Sequence, residues 1–437
     1  LVLIVGCGLY LSVRLGFFQF THFGYAMRST IGRCFGKHAK KRAGAGSVTP
    51  MQALSTALAA TVGTGNIVGV TGAIAMGGPG ALFWLWAAAL IGMIVKYAEV
   101  ALAIYYRRGS IGSGPMDYIT HGLGRPHLAR VYGVLVTLSA FCMGNLVQVS
   151  SIADSFVRAV DACTVGPMPS PGALRFALGL VLAAVTALLL SGGAGRVGTA
   201  AEAMVPLMSL LFIAASIAVV AVNHSRIVGV MSTVFIEAFR PGAITGGICG
   251  VTTAQCIQWG LRRSAFSNEA GLGTAAIAHA AADTDDPAAH GMWGIFEVFA
   301  DTIVICTCTA LAILCSGVNI PWGSVTGTEV YQSALASVFG ARTSAVFMAV
   351  TICLFAYTSV MGWAVYGSRC AEYISGRRGA ALYGFLFPCV CLCGCVMSTK
   401  GVWQIADLIN ALMSLPNLAS LLMLAPVAGK ISRKIDT

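Results

Sequence analysis

Two short tracts interrupt long apolar runs with groups able to hold a charged ligand: Thr61 to Asn66, which reads TVGTGN, and Phe266 to Gly273, which reads FSNEAGLG. Gly63 and Gly65 in the first tract, and Gly271 and Gly273 in the second, release the backbone from helical geometry. A helix unwound at such a point offers free NH groups and a positive dipole end, which suit a carboxylate. On the other side of the break it offers carbonyl oxygens, which suit sodium or an ammonium group. A zwitterion satisfies both. Close helix packing is the bland reading of Gly63 and Gly65, since small residues are common where membrane helices touch. Thr64, Asn66 and the second tract with Phe266, Asn268 and Gly271 favour the ligand reading.

Other residues extend the candidate site. Glu269 is expensive at membrane depth and is a functional candidate by default, facing either a substrate ammonium or an internal partner such as Arg262 or Arg263. Phe141, Asn145 and Gln148 share one helical face, suited to a pocket wall or to hydrogen bonds between helices. Thr358 and Ser359 give adjacent hydroxyls of the kind a hard cation prefers, with Gly63 as a possible partner, although each could bond its own helix four residues back. Trp363, one turn on, could close over an aliphatic side chain. Lys96 and Glu99 are three apart on a helix and are expected to pair. Glu202, Glu297, Asp301 and Asp407 lie in or near apolar spans without an assigned partner. The chain lacks the phosphate-loop and HEXXH patterns, so neither nucleotide hydrolysis nor zinc hydrolysis is expected and the chain is not read as an enzyme.

These residues must be positioned by membrane helices. Of 437 residues 57% are hydrophobic and 10% charged, far from the balance of a water-soluble domain. Eleven apolar spans are expected: 1–19, 49–76, 81–107, 129–159, 172–191, 198–223, 243–282, 291–316, 341–370, 381–398 and 402–428. The 243–282 stretch is too long for one straight crossing. The fifteen cysteines lie mostly in apolar runs, where cysteine packs as a small hydrophobe. A net charge of +11 reports topology rather than nucleic-acid binding, because the basic residues sit between spans. Arg28, Arg33, Lys37, Lys40, Lys41 and Arg42 put the loop after the first span inside the cell. Alternation then places Arg107, Arg108, Arg196, Arg377, Arg378 and Lys430 inside too, leaving the N-terminus outside and the C-terminus cytoplasmic. The chain opens on an apolar run without an initiator methionine, so a trimmed natural start is expected.

The two broken tracts lie five spans apart, and five is odd. That predicts two inverted repeats, 49–223 and 243–428, after an extra N-terminal helix with its basic segment, 1–48, and separated by an outer loop, 224–242. A cytoplasmic tail, 429–437, follows. The implied class is an all-α, multi-pass transporter with a midplane site, energised by a gradient. An uncoupled facilitator or channel for small solutes is the competing reading.

Gly63 to Arg108, GTGNIVGVTGAIAMGGPGALFWLWAAALIGMIVKYAEVALAIYYRR, closely resembles the signature of the alanine/glycine:cation symporter family. So do SNEAGLG (Ser267 to Gly273), GNLVQ (Gly144 to Gln148) and FAYTSVMGW (Phe355 to Trp363). The resemblance implies a leucine-transporter-type core of ten helices in two inverted repeats plus one extra helix, in a bacterial inner membrane. It implies symport of alanine or glycine with sodium, or sometimes with protons, no resident cofactor, and no nucleotide or nucleic-acid partner; a monomer suffices. Matching positions make Thr64, Gly65, Asn66, Phe141, Gln148, Asn268 and Trp363 the pocket, with Thr358 and Ser359 toward the cation. The tract before SNEAG lacks the usual glycine after arginine, and Thr358-Ser359 reverses the usual order, which bears on substrate choice.

Overall fold

The computed structural model describes residues 1–35, 48–109, 112–164, 167–240, 252–324, 327–397 and 402–435. Lys37, Lys40, Lys41 and Arg42, on which the inside assignment of the first loop partly rests, lie outside them, as do the 243–251 end of the seventh expected span and the turn around Lys400.

Helices carry the whole architecture. They are α1 (Val2–Arg14), α2 (Pro50–Thr61), α3 (Val68–Gly77), α4 (Ala81–Tyr105), α5 (Pro126–Cys163), α6 (Pro171–Leu190), α7 (Gly193–Val222), α8 (Ile227–Phe239), α9 (Thr253–Asn268), α10 (Thr274–His279), α11 (Pro287–Ser316), α12 (Glu329–Phe339), α13 (Ala341–Val396) and α14 (Val402–Ser432). Seven are long and apolar enough to cross a membrane singly, and α2 and α3 form a further span bent by 54°. At 56 residues α13 is too long for one crossing. It folds back at Ser375 and Gly376, where Gly376 takes φ +64°, so its two arms are two of the expected spans. With α1 and the α9–α10 pair, each of the eleven expected spans has a helical counterpart.

The polarity is inverted relative to a soluble protein. Leu188, Leu210, Phe385 and Met423 are more than half exposed on the outside, while Lys96, Glu99, Asn145 and Asp301 are fully buried. Apolar surface facing lipid costs nothing, whereas ionisable groups must turn toward the bundle interior.

The broken helices begin alike. Thr49 caps α2, its hydroxyl accepting from Gln52 N while Gln52 Oε1 accepts from Thr49 N. Thr252 and Gln255 repeat this reciprocal arrangement at the start of α9. Such a box satisfies NH groups that the first helical turn leaves unpaired. From its cap to its break α2 runs 12 residues, and α9 runs 16. Each break thus ends a capped helix that opens its repeat.

Two outer segments read as loops are ordered helices. Within 224–242, α8 clamps the start of α4: Trp84 Nε1 donates to Ala238 O at 2.9 Å, and a methyl added to Gly80 would lie 2.3 Å from the Glu237 carbonyl carbon. Within the loop before α13, α12 is held by Tyr331, whose hydroxyl is 2.7 Å from that of Ser216 on α7. Both helices are too short to span, so a search for spans passes over them.

Candidate functional site

Each break is built by its own side chains. After α2 the chain makes a single tight turn, Thr64–Asn66, before α3 begins. Gly63 N donates to Asn66 Oδ1 at 2.8 Å, which closes the turn and fixes the amide so that Asn66 Nδ2 points outward. After α9 the chain turns through left-handed conformations at Glu269 (φ +56°), Gly271 (φ +92°) and Gly273 (φ +79°). A non-glycine residue in that region is strained, and here the strain is held by contacts. Glu269 accepts from Thr274 Oγ1 at 2.5 Å and from Trp363 Nε1 at 3.1 Å. Gly271 N donates to Glu99 Oε1 at 2.9 Å, and Asn417 Nδ2 donates to Gly271 O at 2.9 Å.

The two breaks meet. A methyl on Gly65 would lie 3.1 Å from the Phe266 ring, so glycine is what lets the chains close. Asn66 Nδ2 donates to Ser267 Oγ at 2.9 Å and to Asp301 Oδ1 at 2.6 Å. The other oxygen of Asp301 accepts from Ser267 and from Thr302, each at 2.7 Å. Asp301 sits in a π-helical turn of α11, Phe299–Cys306, a widened geometry frequent at functional sites. A fully buried carboxylate flanked by two hydroxyls and two frayed helix ends matches the oxygen-rich chemistry of a hard cation site.

Several expected residues are gathered around this junction. Thr64 Oγ1 donates to Gln148 Oε1 at 3.0 Å, linking the first break to α5. A methyl on Gly63 would lie 2.3 Å from Ser359 Oγ and 3.5 Å from Gln148 Oε1, so α13 packs directly on the break. Trp363 is buried with its ring against Gly144. Asn268 ties the second break to its surroundings, donating to Ser264 and Thr302 at 3.1 Å each and accepting from Ala270 N at 3.0 Å.

Others fall elsewhere. Phe141 packs at a tilt against Tyr383 and Phe387 on the second arm of α13, with ring centroids 5.0 and 5.8 Å away, beside Leu138 of its own helix and Leu386 of α13. Asn145 donates to Phe387 O at 2.8 Å, an interhelical bond rather than a pocket wall. Thr358 Oγ1 bonds Leu354 O and Phe355 O of its own helix, both at 2.9 Å, and Ser359 Oγ, which faces Gly63, also bonds its own helix at Phe355 O, 3.2 Å away.

The ion pairs correct the sequence reading. Lys96 does not pair with Glu99: its ammonium lies 3.2 Å from Glu297 Oε1 and donates to Asn268 O at 2.8 Å. Glu99 instead accepts from Asn417 Nδ2 at 2.7 Å. The three-residue spacing permitted contact, but the neighbouring helices supplied better partners. Glu269 does not pair with Arg262 or Arg263. Arg262 binds Asp407, and Arg263 lies over the rings of Trp259, Phe266 and Trp403 at 5.2 to 5.8 Å. A cavity of about 670 Å³ between α1, α9 and α14 is lined by Gln258, Arg262, Phe266, Asp407 and Asn410. Phe266 thus separates that cavity from the junction of the breaks. Asp301 was visible in the sequence only as an acid in an apolar span; nothing in its spacing pointed to Asn66, a long way off along the chain.

The sequence model of a family described as "Sodium:alanine symporter family" matches residues 1–436. The sodium/alanine symporter AgcS of Methanococcus maripaludis is 40% identical over 98% of this chain and 92% of its own length. The probable sodium/glutamine symporter GlnT of Bacillus subtilis is 33% identical over 98% of this chain and 85% of its own. Among solved structures, MhsT in complex with L-phenylalanine superposes with a TM-score of 0.58 over 89% of this chain and 99% of that one. At 14% identity this likeness shows the fold alone, a leucine-transporter-type pair of inverted five-helix repeats.

Proposed function

Since the chain belongs to the sodium:alanine symporter family and is a multi-pass transporter, not an enzyme, we propose that it imports a small neutral amino acid, alanine or glycine, with sodium. The observation that carries this reading is the junction of the breaks, where Asn66, Ser267 and Asp301 join two repeats through one carboxylate. Sodium would sit beside Asp301, its charge balancing a buried carboxylate that no lysine or arginine reaches within ion-pair distance among the described residues. A second cation position would form beside Gly63 and Ser359, whose hydroxyl faces the first break, with Thr358 reaching it only if its hydroxyl leaves its own helix.

The amino acid would bind beside Gly65, Phe266 and Trp363 once these contacts part, with Thr64, Gln148, Asn268, Glu269 and Gly271 as polar wall. Its carboxylate would face NH groups of the first break and its ammonium the carbonyl end of α9, as dipole ends dictate. Repeats 49–223 and 243–428 would supply the rocking halves. The basic loops favour an inner-membrane orientation with the N-terminus outside and the C-terminus in the cytoplasm.

The test is radiolabelled alanine and glycine uptake into proteoliposomes under imposed sodium or proton gradients. Saturable uptake that rises with an inward sodium gradient supports the reading. Uptake indifferent to every cation gradient would make the protein a facilitator.

A further inference from the structure

The transport reading leaves unused a file of buried ionisable side chains running away from the second break. Lys96 donates to Asn268 O, the carbonyl that ends α9, and lies 3.2 Å from Glu297 Oε1. The other oxygen of Glu297 is 3.4 Å from His279 Nε2. His279 Nδ1 is 3.0 Å from His290 Nε2, and His290 stacks on Trp293 with centroids 5.5 Å apart. All five side chains are at most 1% exposed. The file ends one helical turn from the exposed turn at Asp283–Asp286: His290 N donates to Asp286 O at 3.0 Å.

Two imidazoles in contact can bond only if one facing nitrogen carries the hydrogen and the other accepts it. With both rings neutral, His279 Nε2–H faces Glu297 and His279 Nδ1 accepts from His290 Nε2–H. A proton added at His290 Nδ1 turns that ring into imidazolium. The Nε2 proton of His290 can then pass to His279 Nδ1, and the Nε2 proton of His279 to Glu297 Oε2. Each hop breaks one N–H bond and makes one N–H or O–H bond, so the added proton is shared along the file, as imidazolium at His290 or His279 or as a neutral Glu297. No co-reactant is required.

The surroundings give such a proton a reason to bind. Lys96 is the fully buried cation here, against the carboxylates of Glu99, Glu269, Glu297 and Asp301. A dry interior tolerates charge only when it is compensated. From the other packed elements, Tyr97 on α4, Tyr366 on α13 and Arg107, which donates to Ala280 O and Ala282 O just past α10, are further ionisable neighbours, with Asp117 on the turn touching α10. Helix α2 brings no ionisable group; the short helix Phe23–Phe35 carries Arg28, and the chain end carries Arg433 and Lys434.

We propose that Glu297, His279 and His290 form a proton-binding site, exchanging one proton with the Asp283–Asp286 side. Its occupancy acts on the second break through Lys96. With Glu297 ionised, Lys96 is shared between it and Asn268 O; with Glu297 neutral, the ammonium is released toward the break. Lys96 is a positioning residue in this scheme. The proposal rests on the transport reading for its consequence, but not for its chemistry.

Two measurements on the full-length protein test it. The first is intrinsic fluorescence in detergent, because a protonated imidazole quenches a stacked indole. Wild type should show a step between roughly pH 5 and 8 that is lost in both His290→Asn and Trp293→Phe. Its absence in wild type, or its persistence in both variants, overturns the site even if transport is confirmed. The second is sodium-driven alanine uptake against lumenal pH in proteoliposomes. Wild type should vary at least about threefold over that range and His290→Asn much less. Identical profiles in wild type, His279→Gln and His290→Asn overturn the link to the break. Absence of all coupled uptake in wild type sinks the transport reading instead, and the fluorescence result then stands by itself.

Discussion

Asn66 Nδ2 donates to Asp301 Oδ1 across 2.6 Å, so the turn that interrupts the first repeat is bonded to the helix following the interruption of the second. A cation that drew Asp301 toward itself would therefore be felt at both breaks. Asp301→Asn keeps the shape and removes the charge. It should raise the sodium concentration for half-maximal uptake about tenfold or more, as expected when a charge-assisted contact becomes a neutral one. Uptake titrated with sodium at saturating alanine measures this, and an unchanged midpoint would remove Asp301 from the cation site.

Gly63 and Ser359 make a pair in which one side chain occupies the other's missing methyl. Gly63→Ala should lower the thermal midpoint, and Ser359→Ala on top should restore much of it, because the serine oxygen is the clashing atom. The double variant should still need more sodium than wild type. Recovery of both stability and sodium dependence would show that Ser359 serves packing alone.

Trp363→Phe keeps an aromatic ring, smaller than the indole, and deletes the NH that reaches Glu269. The expected result is a several-fold rise in the alanine concentration for half-maximal uptake at unchanged sodium dependence, since about 1 kcal/mol of hydrogen bonding is lost. Thr358→Ala should do little by comparison, because its hydroxyl is spent on its own helix.

Lys96→Met leaves Glu297 buried without its cation and should destabilise the protein by about 3–5 kcal/mol, the range for breaking a buried pair. Lys96→Met combined with Glu297→Gln should recover a large part. Thermal melts of the four proteins give the coupling, and strict additivity would argue against the pair.

Asp117, on the turn Pro115–Asp117 outside the spans, has its carboxyl pushed up to about 6 by burial, against the pull of the Ser113 and Gly114 NH groups and of Arg107. An unfolded aspartate titrates near about 4. The folded state therefore holds the extra proton between these values, and the stabilising contribution is complete below about pH 4 and lost as pH rises through 6. Wild type should lose thermal stability relative to Asp117→Asn between roughly pH 4 and 6. A constant difference between the two would show that Asp117 does not titrate there.

Much of this was legible in the sequence, for identifiable reasons. The spans followed from apolar length, and the breaks from glycines and polar residues where hydrocarbon forbids them. Gln148 and Thr64, or Trp363 and Glu269, could be named as candidates but not as partners, because each pair lies on helices far apart along the chain. Lys96 was misassigned for the same reason: local spacing offered Glu99, while the fold offered Glu297. Phe141 shares a helix face with Gln148 only approximately, and the π-helical turn Cys142–Leu146 between them shifts the register. The short helices α8 and α12 carry no spanning signal at all.

The matched caps at Thr49 and Thr252 have a further consequence. Each anchors a rod that enters the bundle from the opposite side, about 18 Å long for α2 and about 24 Å for α9, and their tips must meet. Adding or deleting one residue in either rod would move its tip by about 1.5 Å and swing it through about 100°, parting Asn66 from Ser267. The two rods thus act as one gauge: a residue inserted between a cap and its break should cost the contact of the two breaks, whereas the same insertion after the break should leave both tips in place.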